Sequence, residues 1–187
     1  MIEHKHPGGT CVNVGCMPKK VCYNVSSYLD MQHMMKLHGV DSSGVKFNYK
    51  ILKKNRDSYV HRLRGVYEKM WKNSNVKYVK GFAEFIEKNK IQVGDEIFEG
   101  EKILIATGSK PHMPKIEGIE HCIDSDGFFD MEELPKKVVV VGGGYIAIEL
   151  AQIMKGLGSQ VDLVVRSKIL KFMCDDVTDI IMQNMKK

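Results

Sequence analysis

Two cysteines separated by four residues are the side chains best suited to chemistry in this chain. Cys11 and Cys16 lie within residues 8–20, which read GGTCVNVGCMPKK. A thiolate is the species that attacks a disulfide, and neighbouring cations such as Lys19 and Lys20 favour the thiolate. The flanking glycines let the backbone bend so that the two sulfurs can approach each other. The pattern therefore predicts reversible dithiol–disulfide chemistry.

Other uses of these cysteines remain open on the residues alone: an inert disulfide, two buried thiols, or a zinc site completed by His4 and His6. Zinc sites usually have shorter cysteine spacings and a matching second pair, which this sequence lacks. We therefore predict no metal site. The other cysteines are widely separated and fit a reducing compartment; they are Cys22, Cys122 and Cys174.

Composition narrows the classes of protein to which the chain can belong. Its 187 residues could form one large or two small domains, and 43% hydrophobic with 27% charged residues is an ordinary balance for a folded domain. The net charge of +5 comes from scattered lysines, which favours a solvated surface over a nucleic-acid site. The first residues, MIEHKH, do not resemble a signal peptide, and we find no apolar stretch of membrane-spanning length. We expect a cytoplasmic protein that binds neither nucleic acid nor membrane.

A glycine triplet between a strand and a helix indicates a second functional region. Val138–Val141 is followed by Gly142–Gly144, a helical run over 145–157 and a second apolar strand over 161–165. Such a turn aims the free amides and the dipole of a helix N-terminus at a phosphate. The segment thus predicts a dinucleotide-binding unit, although a merely connecting glycine loop is the plainer alternative.

The end of the second strand indicates which dinucleotide is bound. An NAD-selective protein normally places an acidic residue there to bind the ribose 2′-hydroxyl. This chain has Arg166, followed by Lys171. Two cations suit a 2′-phosphate, and the expected cofactor is therefore NADPH.

Between these regions the pattern predicts helices over 21–37 and 49–72 and then several short strands. We expect these strands to form a small antiparallel meander that leads into a buried strand, 103–105, which closes on Thr107 and Gly108. The short runs cover residues 76–79, 82–86, 90–93, 97–98 and 102–105. We place the main domain boundary after residue 110.

The cysteine motif, together with the glycine unit, resembles the flavoprotein disulfide reductases, and within them most closely the glutathione reductase group. The resemblance runs from Glu3 to about Met185. It implies an α/β fold with partial FAD-binding and NADPH-binding Rossmann-like domains and a small antiparallel β-meander. Residues 1–110 would belong to the FAD-binding domain and residues 111–187 to the NADPH-binding domain.

The same resemblance implies an activity. Electrons would pass from NADPH through FAD to a disulfide between Cys11 and Cys16, and then to glutathione disulfide. Cys16 would face the flavin, while Cys11 would exchange with substrate. Lys19 would pair with Glu149 near the flavin, and both would count with the cysteines as catalytic.

The resemblance also assigns binding residues. Tyr67 would contact glutathione. The expected FAD contacts are Glu3, Thr10, Cys11, Lys19, Ala83, Thr107 and Gly108. The expected NADPH contacts are Gly142, Gly143, Gly144, Tyr145, Ile146, Glu149, Arg166 and Lys171.

Several parts of the family pattern are not found in this sequence. They are the first FAD glycine fingerprint, the segment that returns to the FAD domain, and the dimerisation domain with its acid–base histidine. We therefore expect a piece of a homodimeric enzyme that is inactive alone. The alternatives are a thioredoxin reductase-like protein, a non-catalytic nucleotide-binding remnant, or a zinc-stabilised interaction module.

Overall fold

The computed structural model describes residues 1–186 and combines helices with three small sheets in that range. The helices are α1 Gly9–Val14, α2 Cys16–Leu37, α3 Tyr49–Asn73, α4 Ser125–Asp130, α5 Tyr145–Leu157 and α6 Asp175–Met185. The strands are β1 Ile2–Glu3, β2 Val79–Lys80, β3 Glu84–Glu87, β4 Lys90–Val93, β5 Glu96–Glu99, β6 Lys137–Val141 and β7 Gln160–Val164. The fold class is α/β, as the sequence predicted.

The chain divides into two compact units that do not follow the order of the sequence. The first comprises Met1–Pro18 and Lys54–Asp130, and the second comprises Lys19–Lys53 and the chain from Met131 onward. The long helices α2 and α3 thus contribute residues to both units. The functional boundary after residue 110 remains a prediction.

In the first unit, short strands form two separate sheets. β1 pairs with β2 in parallel, with Ile2 opposite Val79. β3, β4 and β5 form an antiparallel sheet in that order, with an irregularity between Phe85 and Glu87. The predicted meander is confirmed over 84–99, whereas the run at 76–79, expected in the same meander, ends in a strand that pairs with β1.

The prediction of a buried strand at 103–105 is wrong. The segment from Ile103 to Gly108 forms no strand, and Leu104 is 90% exposed and Ile105 67% exposed. An apolar run is buried in a parallel sheet only if strands pair beside it and helices cover its faces. No strand in the described range 1–186 pairs with this segment. The composition is that of a core strand, but the neighbours that would bury it are absent from this range.

Both long helices appear where they were predicted, although α2 begins earlier. It starts at Cys16 rather than at Val21, which places Pro18 in its first turn. Proline is tolerated there because the first amides of a helix have no intrahelical acceptor. The cysteine Cys16 is therefore the first residue of a regular, 22-residue helix. The other long helix, α3, buries Leu52 and Val60.

The second unit contains the predicted strand–turn–helix–strand segment. β6 and β7 pair in parallel over their whole length, with Val138 opposite Val161, and α5 connects them. α5 buries Ile153 and Leu157. Its Ile148 packs in a cluster with Ile169 and Leu170, which follow β7. This arrangement confirms the Rossmann-like unit and holds the glycine turn at the edge where β6 ends. None of the helices described between residues 1 and 186 is long and apolar enough to cross a membrane.

Candidate functional site

The two cysteines lie on consecutive helices joined by one glycine. Cys11 is on α1, Cys16 begins α2, and both are exposed. A side chain on the intervening Gly15 would place its Cβ 2.8 Å from the Thr10 carbonyl oxygen, so only glycine fits this tight junction. The junction presents both cysteines to solvent, where a disulfide substrate can reach them.

A hydrogen-bonded asparagine holds the segment between the cysteines, and the sequence analysis missed it. The Asn13 Nδ2 donates to the carbonyl oxygens of Pro7 at 3.0 Å and Gly9 at 2.8 Å. Its Oδ1 accepts a bond of 2.6 Å from Nε of Arg64 on α3. The two residues are 51 positions apart, and no local pattern links them.

A buried arginine, Arg56, was also missed. Its side chain is about 2% exposed, and its Nη2 donates to Asp57 Oδ1 at 2.6 Å and to the Phe129 carbonyl oxygen at 2.5 Å. The guanidinium also lies 5.6 Å from the centre of the Phe129 ring. Arg56 thus ties α3 to α4, and α4 packs against α1, which carries Cys11.

One predicted FAD contact, Glu3, pairs through its backbone with the chain that leads to another, Ala83. Gly81 N donates to the Glu3 carbonyl oxygen at 3.1 Å, which places Ala83 two residues beyond this bond. The Glu3 carboxylate accepts from the Lys5 amide at 2.8 Å, so it already has one local donor. Thr107 and Gly108 lie in the unpaired, exposed segment after Ile105. Thr10 is exposed on α1.

Lys19 and Glu149 meet as the resemblance implied. Lys19 Nζ lies 2.8 Å from Glu149 Oε1, joining α2 to α5. Their side chains are 27% and 42% exposed, so the ion pair contributes at most about 1 kcal/mol to stability. A contact this weak leaves both groups available for other roles; the catalytic assignment remains a prediction.

The three positions of the glycine turn differ in how strongly they require glycine. Gly142 has φ +147°, and its amide donates to the Val164 carbonyl oxygen at 2.9 Å. A Cβ on Gly143 would lie 2.9 Å from the Lys168 carbonyl oxygen, so this glycine permits close packing on the chain after β7. A Cβ on Gly144 would meet nothing within 4 Å.

Gly144 is also the residue that precedes α5, and no side chain caps this helix. The first amides of an uncapped helix attract an anion. Tyr145 and Ile146 follow directly and are 60% and 42% exposed. The space beside Gly144 can therefore admit a phosphate group against the helix N-terminus.

The cations after β7 differ in their engagement. Arg166 and Lys171 are both exposed. Lys168 forms an ion pair with Asp175 and donates to the Met173 carbonyl oxygen at 3.3 Å. Of the three, Lys168 is thus committed to the start of α6, while Arg166 and Lys171 face solvent where a ligand phosphate can reach them.

Tyr67, the predicted glutathione contact, is half-buried on α3. Its ring packs edge-on to Trp71, with ring centres 6.5 Å apart. One turn earlier on the same helix is Arg64, which bonds Asn13.

Burial, and then the charges of Arg64 and Lys80, lower the pKa of His6, so this histidine is neutral at pH 7.

No group of three or more His, Cys, Asp or Glu side chains among the residues described is placed to hold a metal ion.

Comparisons with known proteins give one consistent result. The chain is 39% identical to a glutathione reductase of Schizosaccharomyces pombe over 186 residues, covering 95% of this chain and 40% of that protein. It is 42% identical to a glutathione reductase of Yarrowia lipolytica over 182 residues, covering 90% of this chain and 39% of that protein. The chain thus spans about two fifths of the length of these curated relatives. Residues 1–187 match the family described as pyridine nucleotide-disulphide oxidoreductase. The chain therefore belongs to that family.

Proposed function

We propose that this chain carries the redox-active disulfide and the pyridine-nucleotide site of an NADPH-dependent flavoprotein that reduces glutathione disulfide. The observation that carries this proposal is the placement of Cys11 and Cys16, both exposed, on two helices separated only by Gly15. Its relatives among the glutathione reductases support this substrate. No observation on the described residues favours thioredoxin instead.

The cofactors of the family are FAD and NADPH, and we assign residues of this chain to both. When bound, NADPH would supply hydride and FAD would relay the electron pair to a disulfide. The open space at Gly144 and the uncapped start of α5 would hold the pyrophosphate of NADPH, with Tyr145 and Ile146 beside it. Arg166 and Lys171 would bind its 2′-phosphate. The proposed FAD contacts are Glu3, Thr10, Cys11, Lys19, Ala83, Thr107 and Gly108.

The cysteines account for substrate reduction by two exchange steps. The Cys11 thiolate attacks one sulfur of glutathione disulfide, which forms a mixed disulfide and releases one glutathione thiolate. Cys16, as a thiolate, then attacks the Cys11 sulfur, which releases the second glutathione and closes the Cys11–Cys16 disulfide. Each released thiolate takes up a proton, so one dithiol yields two molecules of glutathione. Tyr67 would contact the bound glutathione.

Lys19 and Glu149 would act as a pair in this scheme. Glu149 holds Lys19 Nζ at 2.8 Å, and Lys19 is one helical turn after Cys16 in the sequence of α2. We therefore propose that Glu149 orients Lys19 and that the pair is catalytic together with Cys11 and Cys16.

The wider assignments are part of the same proposal. Residues 1–110 would belong to the FAD-binding domain and residues 111–187 to the NADPH-binding domain of a cytoplasmic homodimer. The two compact units divide the chain differently, since each of them includes part of α2 and part of α3.

The test is a stoichiometric exchange on the chain itself. The fully reduced chain is mixed with glutathione disulfide, and released glutathione is counted while alkylated peptides are analysed by mass spectrometry. With one molecule of glutathione disulfide per chain, so that other exposed thiols do not add to the count, we expect two released glutathione molecules and a disulfide between Cys11 and Cys16. Cys122→Ser is the matched control and should behave like the parent, whereas Cys11→Ser should give no internal disulfide. A parent chain that keeps both thiols, or that exchanges faster with oxidised thioredoxin, would overturn the proposed substrate.

A further inference from the structure

The helix that carries Cys11 is too short to hold its own geometry. α1 has six residues, and the two positions before and at its start, Gly8 and Gly9, have φ +96° and +59°. No side chain caps its N-terminus. A single helical turn is marginal in water because few hydrogen bonds offset the entropy of ordering it. The position of Cys11 therefore depends on contacts made by the rest of α1.

One side of α1 is held by packing. Val12 is 1% exposed, and a Cβ on Gly8 would lie 2.5 Å from the Val12 Cβ. The backbone at Gly8 therefore packs directly against this side chain. This packing is apolar and sets how deeply α1 sits. It does not by itself set how α1 is rotated about Val12.

The other side is held by the Asn13 amide. Both of its amide donors have acceptors, the Pro7 and Gly9 carbonyl oxygens, so its orientation is determined by the network. Its oxygen then has to face away from the turn, where Arg64 Nε donates to it at 2.6 Å. Arg64 belongs to the 25-residue helix α3, so this bond anchors the turn before Cys11 to a regular element.

We infer that Arg64 is a positioning residue for the redox disulfide: through Asn13 it sets the geometry of the turn that carries Cys11, and it thereby sets the stability of the Cys11–Cys16 bond. This inference rests on the proposed function. A disulfide requires a narrow range of Cα and Cβ separations, so a better-ordered turn favours the bond over two separate thiols. The charge on Arg64 strengthens its bond to Asn13.

The experiment measures the equilibrium of the cysteine pair with glutathione. In that equilibrium the dithiol and glutathione disulfide convert to the internal disulfide and two glutathione molecules. Arg64→Met keeps an unbranched side chain as far as the position of Nε and removes the donor. We expect its equilibrium constant for disulfide formation to fall about tenfold, which corresponds to a midpoint potential about 30 mV higher. Arg62→Met is the matched control, because Arg62 stacks on Tyr59 at 5.2 Å on the same helix.

Two further variants separate positioning from a direct effect of charge. Arg64→Gln keeps a donor without the charge, and we expect it to recover most of the parent potential. Asn13→Ala removes the acceptor of this bond together with the two bonds to the Pro7 and Gly9 carbonyl oxygens, so it should shift the potential in the same direction and at least as far. In the Asn13→Ala background, Arg64→Met should then cause no further shift. If Arg64→Met does not fold, Arg64→Gln and Asn13→Ala remain the test, and an unchanged potential in Asn13→Ala contradicts the inference.

The outcomes that overturn this inference differ from those that overturn the proposed function. A parent chain that forms no Cys11–Cys16 disulfide contradicts both. A parent disulfide whose potential is the same in Arg64→Met and Asn13→Ala contradicts only the positioning role. Equal shifts in Arg64→Gln and Arg64→Met, with the full shift retained in the Asn13→Ala background, would show that the charge acts directly on the cysteines.

Discussion

The cysteine-bearing segment 8–16, here called the redox segment, and the glycine turn 142–144 both contain glycines and adjoin a helix, but different contacts hold them. The redox segment depends on side chains: Asn13, Arg64 and the buried Arg56 hold the elements around Cys11. The glycine turn depends on the backbone: the Gly142 amide donates to Val164, and the Gly143 carbonyl accepts from Leu170 at 2.6 Å. Replacing one side chain can therefore destabilise the redox segment. The glycine turn should be destabilised only by a substitution that adds atoms where there is no space.

The largest effect on this comparison should come from Arg56. Arg56→Met would leave the Phe129 carbonyl oxygen without this donor in a buried site and would remove the ion pair with Asp57. We expect a loss of about 3 kcal/mol in the free energy of unfolding. Urea denaturation measures it, with Arg62→Met as control. A loss below about 1 kcal/mol would show that packing, rather than this arginine, holds α4.

The glycine turn offers a matched pair of substitutions. Gly143→Ala should cost about 1–3 kcal/mol, because its Cβ would lie 2.9 Å from the Lys168 carbonyl oxygen, a backbone atom. Gly144→Ala should leave the free energy of unfolding nearly unchanged, since its Cβ meets no atom within 4 Å, but it should weaken NADPH binding by filling the proposed phosphate space. Thermal unfolding and NADPH titration separate the two effects. Equal stability of both variants would contradict the close packing at Gly143.

Arg166 should affect ligand selectivity without affecting stability. Arg166→Ala removes an exposed cation, and we expect it to lower the preference for NADPH over NADH by about 1.5–3 kcal/mol, the range for a charged hydrogen bond. The neighbouring Lys168→Ala is the contrast, because Lys168 is bonded to Asp175 and should mainly affect stability. Binding of both nucleotides is measured by fluorescence titration. Equal affinities in the parent chain would contradict the NADPH assignment.

The smallest expected effect is that of Asp126, on α4, on the pH dependence of stability. Burial first, and then the nearby Asp124 carboxylate, raise the pKa of Asp126. The folded state therefore holds this proton more tightly than the unfolded state, and stability from Asp126 is lost as the pH rises through its folded pKa. Asp126→Asn should be slightly more stable than the parent at pH 7, and this difference should vanish below the unfolded pKa of about 3.9. Urea denaturation at pH 7 and pH 3.5 tests it; a less stable variant at pH 7 would mean that the charge is favourable.

Local patterns predicted the elements that are complete within their own stretch of sequence. The apolar runs 138–141 and 161–165, with the glycines and helix between them, predicted β6, α5 and β7 to within a residue or two. The unit forms as predicted because its two strands pair with each other. The apolar run 103–105 has similar composition but no partner strand in the described range, and it lies exposed. A strand's composition is local, but its burial depends on a neighbour.

The sequence by itself determined the chemistry available to this protein: a cysteine pair with nearby cations, a glycine turn at a helix start and two basic residues after the second strand. These follow from residue types at short spacings, and short spacings are preserved in any fold. Only the tertiary structure decided which distant side chains meet. It brings Arg64 to Asn13 and Arg56 to the Phe129 carbonyl across 51 and 73 residues. The contact of Lys19 with Glu149 across 130 residues was instead implied by the resemblance to a known family. Contacts at such separations depend on how helices pack, and the periodicity of one segment does not encode its partner.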